Sequence, residues 1–233
     1  VVLPETAITG YMSSDIRKTW QVDDRSVTDG LSGVDPTDAA ETVPGISTEM
    51  FGELADKLDI YITVPLLEVD RKTGRYYNTV CLMGPDGNML LHYRKRDPWQ
   101  WAERGWATPG DRGNPVVDTP FGRLGCLICF DIHDQAAIMS ELKVDHLLYS
   151  IAWVDDADSD WFDERLPAIA KQYDMNIIGA NWTVSRSEKD PDWHGYGQSL
   201  VIARNGEVLA RTRRDHGADI VWAELPVPGD ANQ

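Results

Sequence analysis

The pattern of apolar and polar positions divides the chain into a series of short strands and helices. Apolar residues at helical spacing predict amphipathic helices, and short apolar runs between Gly, Pro, Asn and Asp predict buried strands. Helices are predicted at about residues 47–59, 135–143 and 160–173. Strands are predicted at residues 1–3, 60–67, 76–83, 89–93, 116–117, 124–129, 146–151, 175–180, 199–203, 207–210 and 219–225. Residues 11–44 are polar and without clear periodicity, which predicts a long surface loop.

The order of these elements indicates an α/β fold. Strands 76–83 and 89–93 are joined by Pro85-Asp86-Gly87-Asn88, a turn signal typical of a hairpin. From residue 124 onward strands and helices alternate, which predicts βαβ units with a parallel central region. A chain of 233 residues with 42% hydrophobic content can build one sizeable core, so we expect a single domain over residues 1–233.

Charge narrows the possible partners. The net charge is -16. Nucleic acids and anionic membranes are bound through clusters of Lys and Arg, so an acidic chain of this kind is expected to bind neither. No apolar run approaches the roughly 20 residues that span a bilayer.

The cysteines argue against structural disulfides and bound metal. Three cysteines are too few for a disulfide framework and fit a reducing compartment, so a cytoplasmic location is expected. Cys126 and Cys129 form a C-x-x-C, but residues three apart in a strand point to opposite faces and cannot share a metal. The histidines are scattered. The sequence therefore predicts neither a metal nor a cofactor, although a dithiol redox role for this pair stays as an alternative.

Cys129 is the candidate nucleophile. It follows an apolar strand at the polar corner Asp131-Ile132-His133-Asp134, and open α/β sheets place their chemistry at such strand ends. The alternative is a small packed core residue, since cysteine is among the most buried residue types. A nucleophilic thiol needs a base and a group that holds the oxyanion. His133 is one candidate base, and the other is a carboxylate with a lysine, for which Glu5 and Lys95 stand at strand ends.

Several motifs together resemble the carbon-nitrogen hydrolase (nitrilase) superfamily. They are Leu3-Pro4-Glu5-Thr6-Ala7-Ile8-Thr9-Gly10-Tyr11, His92-Tyr93-Arg94-Lys95, Glu103 with Thr108-Pro109-Gly110-Asp111, and Gly125-Cys126-Leu127-Ile128-Cys129-Phe130-Asp131. The connecting pieces Tyr77-Asn78-Thr79 and Gly195-Tyr196-Gly197-Gln198-Ser199 agree as well, so the resemblance covers nearly the whole chain. It implies a four-layer αββα sandwich and a catalytic triad of Glu5, Lys95 and Cys129, with Glu103 as a second carboxylate beside the lysine.

The resemblance also implies a reaction. Cys129 would attack the carbon of a small amide, Glu5 would move the proton, and Lys95 with the Phe130 backbone N–H would stabilise the oxyanion before a thioester is hydrolysed. Phe130, Trp153, His133 and Tyr11 are the candidate substrate-binding residues. The residues after the nucleophile favour an amidase-type branch, with a local likeness to vanin and biotinidase.

The resemblance leaves several alternatives open. A nitrilase, an N-carbamoyl amine hydrolase and a catalytically silent binding or scaffold member remain possible readings. His133 stands where branches that bind a carboxylate often carry Arg, which argues against a dicarboxylate monoamide. A homodimer is expected from the resemblance. Members of the superfamily begin with a strand and a helix before the glutamate-bearing strand, so we expect this chain to lack both and a preceding segment to be left out of the sequence.

Overall fold

The computed structural model describes residues 1–10, 21–22, 25–26, 39–100, 103, 106–153, 160–182, 197–212 and 219–226. Three α-helices are present in these parts of the chain: α1 (Ile46–Leu58), α2 (Ile132–Glu141) and α3 (Leu166–Tyr173). The strands are β1 (Gln21–Val22), β2 (Arg25–Ser26), β3 (Ile62–Asp70), β4 (Arg75–Met83), β5 (Met89–Arg94), β6 (Val116–Thr119), β7 (Gly122–Ile128), β8 (His146–Ile151), β9 (Asn176–Asn181), β10 (Leu200–Ile202) and β11 (Val208–Arg211).

The strands form two large sheets and one small ribbon. Strands β3, β4 and β5 make an antiparallel sheet in that order. The second sheet has the order β11-β10-β9-β8-β7-β6, and its pairs β7–β8 and β8–β9 are parallel. The predicted parallel region is therefore confirmed. The two-residue strands β1 and β2 pair with each other within the region predicted as a loop.

The two large sheets pack face to face between helices. In β4, Val80 and Leu82 join the core that includes Leu127 of β7, whereas Cys81 and Met83 alternate to the other face and pack with Ala55 of α1. Helices α2 and α3 cover the outer face of the six-stranded sheet through residues such as Met139 and Ala170. The order helix, sheet, sheet, helix confirms the predicted four-layer αββα sandwich.

The N-terminal segment connects the two sheets. Beside β3, the Thr63 N–H donates to the Val1 carbonyl at 3.0 Å, and the Leu3 N–H donates to the Thr63 hydroxyl at 2.9 Å. On the opposite sheet, the Ser150 hydroxyl donates to the Leu3 carbonyl at 2.9 Å. The Glu5 N–H donates to the Ile151 carbonyl at 3.2 Å. Residues 1–3 were expected as a strand, but they form no regular ladder because they exchange single hydrogen bonds with both sheets.

Two predicted elements end or begin elsewhere. The nucleophile strand was expected to reach Cys129, but β7 ends at Ile128 because Cys129 has a positive φ of 42° and begins a 3₁₀ turn over Cys129–Asp131 that runs into α2. Helix 160–173 was expected to be regular. Its first part, Trp161–Arg165, is a π-helical turn. Pro167 lacks an N–H and cannot donate an α-helical hydrogen bond to the preceding turn, which agrees with this irregular start.

The predicted closing strand at residues 219–225 is wrong. This segment forms no strand, although its apolar run Ile220-Val221-Trp222-Ala223 predicts one. Ile220 and Trp222 are 89% and 77% exposed, and no described strand pairs with them. An apolar run alone does not make a strand, because a strand also needs a partner for its backbone groups. Within the described residues, no helix is both long and apolar enough to cross a membrane.

Candidate active site

Glu5, Lys95 and Cys129 come from three different parts of the fold. Glu5 follows the N-terminal segment that joins the sheets, Lys95 follows β5, and Cys129 follows β7. The backbone of Lys95 is fixed on both sides: its N–H donates to the Asn78 carbonyl at 2.8 Å, and its carbonyl accepts from the Gly110 N–H at 2.7 Å. Gly110 is required here, because a Cβ would lie 2.0 Å from the Arg94 carbonyl oxygen.

A buried lysine lies between two buried carboxylates. The Lys95 Nζ is 2.8 Å from Glu5 Oε1 and 2.5 Å from Glu103 Oε2, and all three side chains are inaccessible to solvent. The Trp99 backbone N–H donates to Glu103 Oε2 at 2.6 Å. Buried charges of this kind are costly unless they are paired and hydrogen-bonded, which these are. The structure thus brings together Glu5, Lys95 and Glu103 from positions up to 98 residues apart in the sequence.

Asn78 of β4 joins the two carboxylates. Its Nδ2 donates to Glu5 Oε1 at 2.7 Å and to Glu103 Oε1 at 2.6 Å. As a result Glu5 Oε1 accepts from both Asn78 and Lys95, whereas Glu5 Oε2 has no hydrogen-bond partner among the described residues. Sequence reasoning quoted Asn78 only as part of a motif. An amide in the middle of an otherwise buried strand was the signal that could have singled it out.

The electrostatics of Glu5 suit a proton acceptor. Burial raises the pKa of Glu5 above its usual value, and the neighbouring Glu103 carboxylate raises it further. Lys95 and Asn78 oppose this by stabilising the anion. A carboxylate with a raised pKa and one unoccupied oxygen is a better base than an ordinary surface glutamate.

Cys129 is a buried, neutral thiol in a constrained backbone. Its positive φ is uncommon for a side chain with a Cβ, and such strain gathers at functional sites. The Tyr149 hydroxyl donates to the Cys129 carbonyl at 2.7 Å. Burial raises the pKa of the Cys129 thiol well above its usual value, and the Glu5 carboxylate adds to the rise. Lys95 and the Ala152 N–H lower that pKa, but not enough to offset burial.

Asp131 ties the nucleophile corner to the lysine loop. Its carboxylate accepts hydrogen bonds from the Tyr93 hydroxyl at 2.8 Å and from the backbone N–H groups of Arg96, Asp97 and Ile128 at 3.0, 2.8 and 3.2 Å. Burial raises the pKa of Asp131 to about 7, and Lys95 opposes that rise. Because this one carboxylate binds backbone N–H groups next to both Cys129 and Lys95, it fixes the distance between these two residues. Sequence reasoning gave Asp131 no role.

Three of the four substrate-binding candidates form an aromatic cluster with Trp161, and we define this cluster as Phe130, His133, Trp153 and Trp161. The Trp153 and Trp161 rings are stacked, with centroids 4.2 Å apart and planes 3° apart. His133 contacts Phe130 and Trp161, with centroids at 4.9 and 5.0 Å. Phe130 directly follows Cys129, and Trp153 directly follows Ala152, whose N–H lowers the pKa of the Cys129 thiol, so the cluster lies beside Cys129.

The remaining residues singled out from the sequence differ in exposure and in contacts. His133 is exposed at the edge of the aromatic cluster, and burial of part of its ring lowers its pKa. Tyr11 lies outside the described residues. The Trp182 Nε1 donates to the Glu5 carbonyl at 2.6 Å, so Trp182 holds the backbone of the proposed base, a contact that sequence reasoning missed. Cys126 is buried in β7, and all three cysteines are free. Within the described residues, no group of three or more His, Cys, Asp or Glu side chains could hold a metal ion.

The family is decided by a comparison with protein-family models. The carbon-nitrogen hydrolase model matches residues 1–228. The chain belongs to the carbon-nitrogen hydrolase family.

Several named proteins resemble this carbon-nitrogen hydrolase chain. It is 29% identical over 202 residues to the omega-amidase NIT2 of Bos taurus, covering 81% of this chain and 69% of that protein. It is 41% identical over 186 residues to a formamidase of Bacillus cereus strain Q1, covering 79% of this chain and 54% of the formamidase. The chain thus spans between about half and two thirds of the length of these curated relatives.

Solved structures share the fold of this carbon-nitrogen hydrolase. Nit3 of Saccharomyces cerevisiae, a member of branch 10 of the nitrilase superfamily, aligns with a TM-score of 0.69 and 22% identity over 96% of this chain and 74% of its own. An amidase of Nesterenkonia sp. AN1, crystallised after Michael addition of acrylamide to its active-site cysteine, aligns with a TM-score of 0.69 and 18% identity over 85% of this chain and 74% of its own. The local likeness to vanin and biotinidase is not shown by these relatives, which are named otherwise.

Proposed function

We propose that this chain hydrolyses carbon-nitrogen bonds of small amides through a thioester on Cys129, with Glu5 as the base and Lys95 as the cation. The observation that carries the proposal is the buried Glu5–Lys95–Glu103 cluster, in which Glu5 Oε2 has no hydrogen-bond partner among the described residues and the Glu5 carboxylate raises the pKa of the Cys129 thiol. Relatives named as omega-amidase and formamidase support the same reaction class.

The acylation step uses the raised proton affinities of both groups. As the Cys129 Sγ attacks the amide carbon, its proton moves to Glu5 Oε2, so that no free thiolate has to accumulate in a site where burial disfavours it. The oxyanion that forms on the carbonyl oxygen is stabilised by the Lys95 ammonium and the Phe130 N–H. The tetrahedral intermediate collapses, the C–N bond breaks, and protonated Glu5 gives its proton to the leaving amine.

Deacylation reuses the same base. Glu5 takes a proton from water as the water oxygen attacks the thioester carbon. Collapse of the second tetrahedral intermediate breaks the C–S bond, releases the carboxylic acid, and returns the proton from Glu5 to the Cys129 sulfur. Glu103 takes no proton in this scheme, and it holds Lys95 in place from the side opposite Glu5.

The aromatic cluster favours a substrate with a neutral acyl group. His133 has a lowered pKa and is neutral at pH 7, so it offers no charge to a substrate carboxylate. Its neighbours Phe130, Trp153 and Trp161 are apolar faces. A carboxylate on the acyl chain would lose hydration there without gaining an ion pair from His133. We therefore place neutral amides ahead of monoamides of dicarboxylic acids.

The test is a screen of small amides, carbamoyl amines and nitriles with ammonia release as the readout. Parent, Cys129→Ala and the matched control Cys126→Ala, which removes another buried thiol three residues away, are compared. We expect the parent and Cys126→Ala to release ammonia from neutral amides, Cys129→Ala to be inactive, and intact mass to detect an acyl adduct on the parent. A catalytically silent member would show no difference between the parent and Cys129→Ala on any substrate.

A second variant tests the acyl preference. His133→Arg places a cation at the exposed edge of the aromatic cluster, where it can pair with a substrate carboxylate. We expect the ratio of kcat/KM for a dicarboxylate monoamide to that for a neutral amide to rise at least tenfold. An unchanged ratio would place the acyl group away from His133.

A further inference from the structure

Asn78 contacts all three charged residues of the cluster around Lys95. Its side-chain Nδ2 bonds Glu5 Oε1 at 2.7 Å and Glu103 Oε1 at 2.6 Å. Its backbone carbonyl accepts the Lys95 N–H at 2.8 Å. The side chain is 1% exposed, so water does not replace these contacts. One residue of β4 therefore meets the base, the second carboxylate and the lysine.

The orientation of this amide follows from the charges around it. Nδ2 carries two hydrogens and can serve one carboxylate with each. The flipped orientation would turn the amide oxygen towards two carboxylate oxygens and lose both bonds. The observed orientation leaves Asn78 Oδ1 buried without a partner among the described residues, a cost that the two charge-assisted bonds outweigh.

A neutral donor suits this place better than a charged one. Glu5 and Glu103 share one ammonium, so the cluster has an excess of one negative charge. A second cation at this position would neutralise that charge and keep Glu5 as a stable, weakly basic anion. An apolar residue would leave both carboxylates with one hydrogen-bond donor fewer. Asn78 supplies two hydrogen bonds without adding charge, and it occupies the same oxygen of Glu5 that Lys95 occupies.

We propose that Asn78 is a positioning residue that holds Glu5 and Glu103 on either side of Lys95, occupies Glu5 Oε1, and so leaves Oε2 as the oxygen that exchanges protons with Cys129. The inference rests on the role proposed above for Glu5. It assigns no contact with the substrate to Asn78. Its removal should therefore change the proton affinity of Glu5 and the turnover, not the binding of the amide.

Asn78→Leu and Asn78→Asp test the proposal. Leu has nearly the same size and no donors, and Asp is isosteric but adds a third carboxylate. The first readout is the rate of Cys129 alkylation by iodoacetamide against pH, which needs no substrate. Its acidic limb reports protonation of the Glu5 base. Without the Asn78 donors the anion of Glu5 is less stable, so the limb should move to higher pH by about one unit for Leu and further for Asp.

Steady-state kinetics on the amide found in the screen give the second readout. We expect kcat of Asn78→Leu at pH 7 to fall at least tenfold, with KM within about threefold of the parent value. Asn176→Leu is the matched control. Asn176 is a buried strand asparagine that bonds His146 and the Arg204 N–H away from the site, so its loss should lower the melting temperature and leave the acidic limb in place.

The outcomes separate this inference from the proposed function. Folded Asn78 variants whose acidic limb stays where it is in the parent, or moves to lower pH, would overturn the inference even if the parent hydrolyses amides. Failure of both Asn78 variants to fold, with Asn176→Leu folded, would also overturn it, because Asn78 would then serve the fold rather than the base. Absence of amide hydrolysis in the parent would refute the proposed function, while the alkylation profiles would still decide the role of Asn78.

Discussion

Glu5→Gln separates the chemistry of the base from its structural contacts. Glutamine keeps an oxygen at the Oε1 position, where it still accepts from Lys95 and Asn78. The unoccupied Oε2 becomes an NH₂ group and can no longer take a proton. The cluster changes from two carboxylates and one ammonium to a balanced pair, Lys95 with Glu103.

These changes predict opposite effects on activity and stability. Loss of a general base costs roughly 10²- to 10⁴-fold, so kcat/KM should fall by that factor, or about 2.7–5.5 kcal/mol of transition-state stabilisation. Stability should not fall, because a buried charge whose pKa burial raises has been replaced by a neutral group. We expect the melting temperature to be equal to that of the parent or higher.

The assay pairs ammonia release with thermal unfolding and with a 4-nitrophenyl ester. Nitrophenolate leaves without a proton, so the ester tests the base at the thiol alone: acylation of Cys129 should also be slow in Glu5→Gln and give no burst, because the buried thiol has lost the acceptor for its proton. Glu53→Gln, the same change at an exposed position of α1, is the control for the substitution itself. Retention of more than a tenth of the parent kcat/KM by Glu5→Gln would refute the reasoning and move the role of base to another group, with His133 as the first to test.

Three further predictions follow from the geometry around the site. Glu103→Gln removes the carboxylate that raises the pKa of Glu5, so the acidic limb of the kcat/KM profile should move to lower pH while kcat falls about 10- to 100-fold; a limb that moves upward contradicts this. Gly110→Ala forces a Cβ against the Arg94 carbonyl and should cost about 1–3 kcal/mol of stability and at least tenfold in kcat. The control Gly74→Ala, in a remote turn with φ of 69°, should lower stability alone. Equal activity of the two variants would show that the backbone around Lys95 can move to accommodate the added Cβ. Burial would raise the pKa of Glu68, but hydrogen bonds from His92 and Arg94 hold it at about 2. Its contribution of about 3 kcal/mol to the free energy of unfolding is therefore fully present above pH 4.5 and is lost as the pH falls towards 2. Urea unfolding measured against pH should show this loss in the parent and not in Glu68→Gln.

Periodicity was sufficient for the α/β class, the parallel region and most strand positions, whereas the four layers were expected from the family resemblance. It failed where a partner decides the structure. Residues 219–225 contain an apolar run typical of a strand but pair with none of the described strands, and Cys129 leaves its strand through a positive φ that an apolar run does not reveal. Such features depend on tertiary contacts, and local propensity carries no information about them.

The candidate site shows the same limit. Glu5, Lys95, Glu103 and Cys129 could be selected because motifs and strand ends mark them. Asn78 is marked only as an amide within a strand, and its partners could not be predicted because they are 73 and 25 residues away in the sequence. Asp131 was visible as part of a motif, but the four donors around it come from β5, from the loop after β5 and from the end of β7, and only the packed sheets bring them together.

The N-terminal segment forms hydrogen bonds with both sheets. The proposed chemistry therefore depends on the docking of the two sheets. Lys95 belongs to the three-stranded sheet, Cys129 to the six-stranded sheet, and Glu5 to the segment between them. Neither sheet alone holds both a nucleophile and a base, so a chain in which the sheets have not yet docked carries an ordinary, unassisted thiol. On the proposed mechanism, base-assisted reactivity at Cys129 requires the two sheets to be docked, so its onset during refolding would time the docking of the two layers.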